Sequence, residues 1–264
     1  MNKLFLLWRT KKPQIFFSII FQKLFTKTAP SWNKISLLFE GKKGLEIGGP
    51  SGMFQLGGWL PFYSIVAQVD GCNFSNQTVW EGELVEGNTY RYTADKNGHQ
   101  YICDAIHLEP IKSSEYDFVL SCNSLEHIAN PLKAIEEWIR VLKTDGYLVL
   151  VLPKKESNFD HKRPITSFEH LLLDYSNNTD ESDLTHLPEI LELHDIRFDY
   201  QAGGKENFRI RSMDNINNRC LHHHIFNISL LEKILTHFKL QKIYSGSSVT
   251  DYIIIGKKTS IVEK

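Results

Sequence analysis

The sequence predicts an open, doubly wound α/β sheet, and three observations carry that prediction. Short apolar runs alternate with helical stretches between residues 40 and 153. The runs lack period-two alternation, as expected of strands covered on both faces. Side chains with ligand-binding chemistry (Glu46, Asp70, Asp104 and Asn123) fall at or just past the predicted strand ends. Open α/β sheets bind their ligands at that edge.

Lys43 to Ile47 is a first strand entering a glycine-rich turn. Ser64 to Val69 is a second, ending at Asp70. Residues 71–99 are polar and rich in Gly, Asn and Thr, and read as an irregular insertion. Tyr101 to Cys103 and Tyr116 to Cys122 are the third and fourth strands. A helix follows: Asn130 can cap it, Pro131 suits its first turn, and Leu132, Ile135, Ile139 and Leu142 recur at helical spacing. Lys143 to Gly146 stops it, and Tyr147 to Leu152 is a fifth strand. Residues 154–224 break the rhythm with charged helical stretches. A last helix, Leu230 to Phe238, and two closing strands, 240–244 and 252–255, complete a seven-stranded, mostly parallel, Rossmann-like sheet. A helical insertion precedes the last helix and strand pair.

Bulk properties limit the options. The chain has 264 residues, 42% hydrophobic, with net charge −1. That suits one domain with insertions and gives no reason to expect nucleic acid as a partner. Cys72, Cys103, Cys122 and Cys220 form no Cys-x-x-Cys pair, which points to a reducing cytoplasm rather than a disulfide framework. Residues 1–39 differ from the domain at 40–264: they hold seven Lys or Arg and no acidic residue. Their apolar patches fall short of the ~20 residues of a membrane span. This basic, aromatic segment either packs on the domain or, through residues 1–30, touches an anionic inner membrane face.

The glycine turn lets backbone approach a ligand. Asp70 lies 24 residues after Glu46, about the distance at which an acidic residue holds ribose hydroxyls. Glu46 repels pyrophosphate but suits an ammonium group. The glycines at 48, 49 and 52 do not form Gly-x-Gly-x-x-Gly. Both points count against a nucleotide-cofactor dehydrogenase.

Residues 41–153 resemble the class I S-adenosylmethionine-dependent methyltransferases, within the group with a type 11 methyltransferase domain. The resemblance rests on Glu46-Ile47-Gly48-Gly49-Pro50-Ser51-Gly52, Asp70, Asp104-Ala105, the stretch Asp117 to His127, and Arg140-Val141-Leu142-Lys143 through Pro153. Pro50 stands where the family more often has glycine. The resemblance implies an enzyme with S-adenosyl-L-methionine as cofactor. Gly48, Gly49 and Gly52 would pack on the methionine part, with Glu46 towards its ammonium. Asp70 would hold the ribose, Asp104 and Ala105 the adenine, and Asn123 or Ser121 the methionine part near the sulfonium. Asn73, Trp80 and Glu81 are further candidates for contact. The rival reading is a non-catalytic binding protein that keeps the fold.

Methyl transfer to a hydroxyl needs a base, and histidine is suited to that role. Eight of the eleven histidines lie between 161 and 237. His127, His161 and His223 are the candidate bases. A metal at the run 222–224, with His186 or Asp183 as further ligands, is not demonstrated by any spacing, and no metal site is assigned. Asp160, Lys162, Arg163, Arg209, Arg211 and Asn218 suit a polar acceptor, such as a glycan or saccharide precursor.

Overall fold

The computed structural model describes residues 28–199 and 201–260. The membrane contact anticipated for residues 1–30 lies almost wholly outside the described residues. Among the described residues, no helix is long and apolar enough to cross a membrane.

The chain opens with α1 (Trp32–Ser36) and β1 (Lys43–Ile47), followed by β2 (Gln68–Asn73). A two-stranded ribbon, β3 (Gln77–Thr78) and β4 (Gly82–Glu83), precedes β5 (Gly87–Arg91) and β6 (Asn97–Ile102). Then come β7 (Tyr116–Cys122), α2 (Pro131–Val141) and β8 (Leu142–Pro153). Four helices fill the insertion: α3 (Phe168–Asn177), α4 (Leu187–Leu193), α5 (Lys205–Met213) and α6 (Asn215–Asn218). The chain closes with α7 (Ile228–His237), β9 (Gln241–Ser247) and β10 (Asp251–Lys257).

The main sheet has eight strands in the order β5-β6-β2-β1-β7-β8-β10-β9. The pairs β1–β2, β1–β7, β2–β6 and β7–β8 are parallel, whereas β10 runs antiparallel to β8 and β9. The additional strand is β5, antiparallel to β6 at the edge. It lies in the stretch expected to be irregular. Strand order reverses between β1 and β7, so the crevice for a ligand opens at the carboxyl ends of these strands.

The apolar runs are buried on both faces, as their composition implied. On β7, Val119 joins one core with Leu132, Trp138, Leu148 and Leu231, while Phe118 and Leu120 join the other. The first core lies under α2 and α7. The second is aromatic and sits under α1 and residues 53–66, with Phe39, Phe54, Phe62, Tyr63 and Tyr90. At the start of α2, the Asn130 side chain accepts from Lys133 N at 3.2 Å, with Pro131 as first residue.

One boundary matters for function. The second strand runs 68–73 rather than ending at Asp70. Asp70 pairs with Leu45 in mid-sheet, and Asn73 is the residue at the strand's carboxyl end.

Candidate active site

The turn after β1 is built from inside. Glu46 is fully buried, and its carboxylate accepts from Ser51 N (3.0 Å), Ser51 Oγ (2.6 Å), Tyr63 Oη (2.5 Å) and Tyr90 Oη (2.7 Å). Burial raises its carboxyl above the ordinary range despite these donors. Glu46 therefore anchors the turn, and no oxygen faces outward to meet an ammonium group. That corrects its expected role. Gly48 has φ +75°, and a Cβ there would lie 2.5 Å from Ser124 Oγ. A Cβ on Gly49 would lie 2.2 Å from Glu46 Cδ. Gly48 and Gly52 are exposed, and open space surrounds the Cβ position of Gly52. These two present bare backbone to the crevice, while Gly49 packs inward.

The expected ribose role of Asp70 also needs correction. Its carboxylate is 1% exposed and is fully engaged below the crevice. It accepts from Tyr116 Oη (2.8 Å), His99 N (2.8 Å) and Gln68 Nε2 (2.6 Å), and pairs with Lys43 at 3.3 Å. Lys43 and Tyr116 begin their strands, so Asp70 ties the amino ends of the sheet together. Asn73 is instead the polar residue at the carboxyl end of β2, with its amide near Gly49 O at 3.4 Å.

Asp104 follows β6 as expected, but both its oxygens are in use. One accepts from Ile106 N (3.1 Å) and the other from Arg219 (2.8 Å). Arg219 also pairs with Glu181 at 2.9 Å and lies 5.2 Å over the ring of Phe74, the residue after β2. The helical insertion thus reaches across the ends of β2 and β6. Ala105 is half-buried, and its carbonyl accepts from Trp138 Nε1. Asn123 follows β7 in a left-handed conformation (φ 52°), is exposed, and hydrogen-bonds the Asp251 carboxylate.

Beside Asn123, a short turn (Leu125–His127) carries Glu126 and His127 against the insertion. Glu126, His127 and His222 bring one ligating atom each to within 4.8 Å of one another. Nδ1 of His127 faces Leu221 O at 3.0 Å, and Nδ1 of His222 faces Asp160 Oδ2 at 2.5 Å. Nε2 of each ring remains for a further partner. Burial holds His127 well below the usual histidine range, with His222 adding to the effect. Burial opposes the charge on His222 too, but Asp160 outweighs it and raises that ring. Both Glu126 oxygens are buried without a hydrogen-bond partner, and burial pushes its carboxyl up to about 7. Arg163 fixes the segment by donating to the carbonyls of His222 (2.7 Å) and His223 (3.2 Å) and to Asp160 (3.2 Å). Trp80 lies edge-on to His127, with centroids 5.0 Å apart.

Of the three expected bases, only His127 belongs to this cluster. His161 turns to Asp195 at 3.6 Å, and His223 to Asn215 (3.0 Å) and Glu181 (3.4 Å). Those contacts occupy them away from the crevice. No sequence spacing marks Glu126 as a functional residue, because only tertiary burial strips its carboxylate of partners. Asp183 is bonded by its own neighbour Thr185 and stands apart from the histidines. His186 instead joins a second group with His170 and His224.

A family model described as a methyltransferase domain matches residues 51–150, from within the glycine turn through β2, β6, β7 and α2 into β8. A curated, uncharacterized protein of Methanocaldococcus jannaschii is 45% identical over 56 residues, covering 21% of this chain. The chain spans about a quarter (24%) of that relative's length. Among solved structures, a SAM-dependent methyltransferase of Aquifex aeolicus aligns over 98% of this chain and 100% of its own, with 14% identity and a TM-score of 0.43. One of Methanosarcina mazei aligns over 86% and 97%, with 16% identity and a TM-score of 0.44. The family match covers Asn73 on β2 and the residues that follow β6 and β7, Asp104 and Asn123. Residues 51–150 are thus similar to a methyltransferase domain, set in a mostly parallel, Rossmann-like α/β sheet.

Proposed function

We propose that the chain moves the methyl group of S-adenosylmethionine to a hydroxyl oxygen of a polar acceptor, such as a glycan or saccharide precursor. The buried Glu126–His127–His222 cluster at the carboxyl end of β7 carries this reading. In the reaction the acceptor oxygen forms its bond to the methyl carbon as the carbon–sulfur bond breaks. The hydroxyl proton passes to Nε2 of His127, which burial keeps neutral and therefore able to accept it. Glu126 and the Asp160-held His222 stand beside the charge that develops. Alignment and exclusion of water supply the rest of the rate. The polar insertion suits a saccharide, and the basic segment 1–30 would bring the enzyme to a lipid-linked acceptor at the cytoplasmic face of a membrane.

The test is transfer of labelled methyl from the cofactor to saccharide acceptors by the purified chain. His127→Ala should lower kcat by about 10²–10⁴-fold, the range for loss of a general base, with unchanged affinity for S-adenosylhomocysteine. Labelling of amines alone, with His127→Ala fully active, overturns the reading. The cofactor assignment has its own check. The Asp104 carboxylate keeps an exposed side with lone pairs beyond those used by Ile106 N and Arg219, so Asp104→Ala should weaken S-adenosylhomocysteine binding by about 1.5–3 kcal/mol in titration calorimetry, the worth of a hydrogen bond to a charged group.

A further inference from the structure

We propose that His170, Asp174, His186 and His224 bind one divalent transition-metal ion of the zinc class, a site separate from the Glu126 cluster. The side chains come from α3, the residue before α4, and the segment 221–226: the three histidines gather around one point, and Asp174 stands against His170 and His224. His170 Nε2 lies 2.9 Å from His186 Nε2 and 3.3 Å from Asp174 Oδ2. His224 Nε2 lies 3.0 Å from the same Asp174 oxygen. The ligating nitrogens of the three histidines all lie within 4.8 Å of one another.

Those separations suit a cation at the centre. Ligands about 2.0–2.1 Å from a tetrahedral zinc ion stand about 3.3–3.4 Å from each other. Two imidazole nitrogens 2.9 Å apart repel through their lone pairs unless a proton or a cation sits between them. Three histidines and one carboxylate are a complete tetrahedral set, and four protein ligands with no open position mark a structural rather than a catalytic ion.

The surroundings hold the ligands in place. His170 and Asp174 are four residues apart and share one face of α3. The free Asp174 oxygen accepts from Thr179 Oγ1 at 3.3 Å, an outer contact of the kind that orients a ligating carboxylate. Asn130 Nδ2 donates to Asp174 O at 3.0 Å and so joins the cap of α2 to the same helix. His170 is about one-third exposed and gives the ion a way in from solvent. The ion would pin three pieces of the insertion together. One of them is the segment that delivers His222 to the crevice, so the metal acts on catalysis through position. The geometry of these four side chains stands whether or not the acceptor is a saccharide.

The experiment uses the full chain and zinc itself. After dialysis, elemental analysis should find about one zinc ion per chain. Chelation should lower Tm, and cobalt(II) substitution should give the visible absorption of a tetrahedral nitrogen–oxygen site. His186→Ala and Asp174→Asn should each weaken zinc binding at least tenfold, while Glu126→Gln should retain it. If a ligand variant fails to fold, the cobalt spectrum of the unaltered chain still decides. A native chain that binds neither zinc nor cobalt overturns the proposal. So does metal that is lost with Glu126→Gln but kept with His186→Ala, which would place the ion in the other cluster.

Discussion

Asp70→Ala is expected to lower folding stability by about 2–4 kcal/mol, because each buried donor left without its acceptor costs about 1–3 kcal/mol. The folded fraction should keep its affinity for S-adenosylhomocysteine. The substitution leaves Tyr116 Oη and His99 N without their acceptor and Lys43 without its buried partner. None of these groups lines the crevice. Asn73→Ala should do the reverse. It deletes the polar side chain at the carboxyl end of β2, so cofactor affinity should fall by roughly 1 kcal/mol, the worth of a neutral hydrogen bond. Its stability should change far less than that of Asp70→Ala. Urea unfolding with calorimetric titration separates the two. If Asp70→Ala folds as well as the parent and loses the cofactor, the ribose contact belongs to Asp70 after all.

This pair of variants also shows where sequence reading stops. The hydrophobic pattern located β2 but not its end, because Gly71, Cys72 and Asn73 are small or polar residues buried against neighbours that only the fold supplies. An end misplaced by a few residues moves a carboxylate from the crevice to mid-sheet. The region β7–α2–β8 was legible because its signals are local: an unbroken apolar run, an Asn cap, a proline at the first turn. Strand β5 was not. In Gly87–Arg91 only Tyr90 is buried, so no apolar run announces it. Glu46 shows the same limit. Its motif position marked the turn, but its partners Tyr63 and Tyr90 lie 17 and 44 residues away. The density of histidines in the insertion marked it as chemically active. Their pairing with Asp160, Asp174, Glu181 and Asp195 sorts them into different roles, and only the fold sets that pairing.

Glu126→Gln is expected to gain stability relative to the native chain as pH rises. The ordinary carboxyl value here is 4.5, and burial raises it to about 7 in the folded state. Between those values the folded chain holds a proton that the unfolded chain releases. The stability this confers is therefore fully present below pH 4.5 and is lost as pH climbs through about 7. At 1.36 kcal/mol per unit, the loss amounts to about 3 kcal/mol in all. Glutamine does not titrate, so the difference in urea midpoint between variant and native should widen in the variant's favour from pH 5 to pH 8. A difference that stays flat across that range would mean that the folded carboxylate has a partner and is not stranded. The same proton bears on catalysis. While Glu126 is protonated, no carboxylate charge stands beside His127 to offset the positive charge that its ring gains on taking the acceptor's proton. Activity should then rise through about pH 7 in the native chain. In Glu126→Gln that limb should disappear, because the amide neither gains nor loses a proton. The stretch of pH in which the fold weakens is thus the stretch in which the base gains its counter-charge. A costly buried carboxylate is the kind of local instability that functional sites retain.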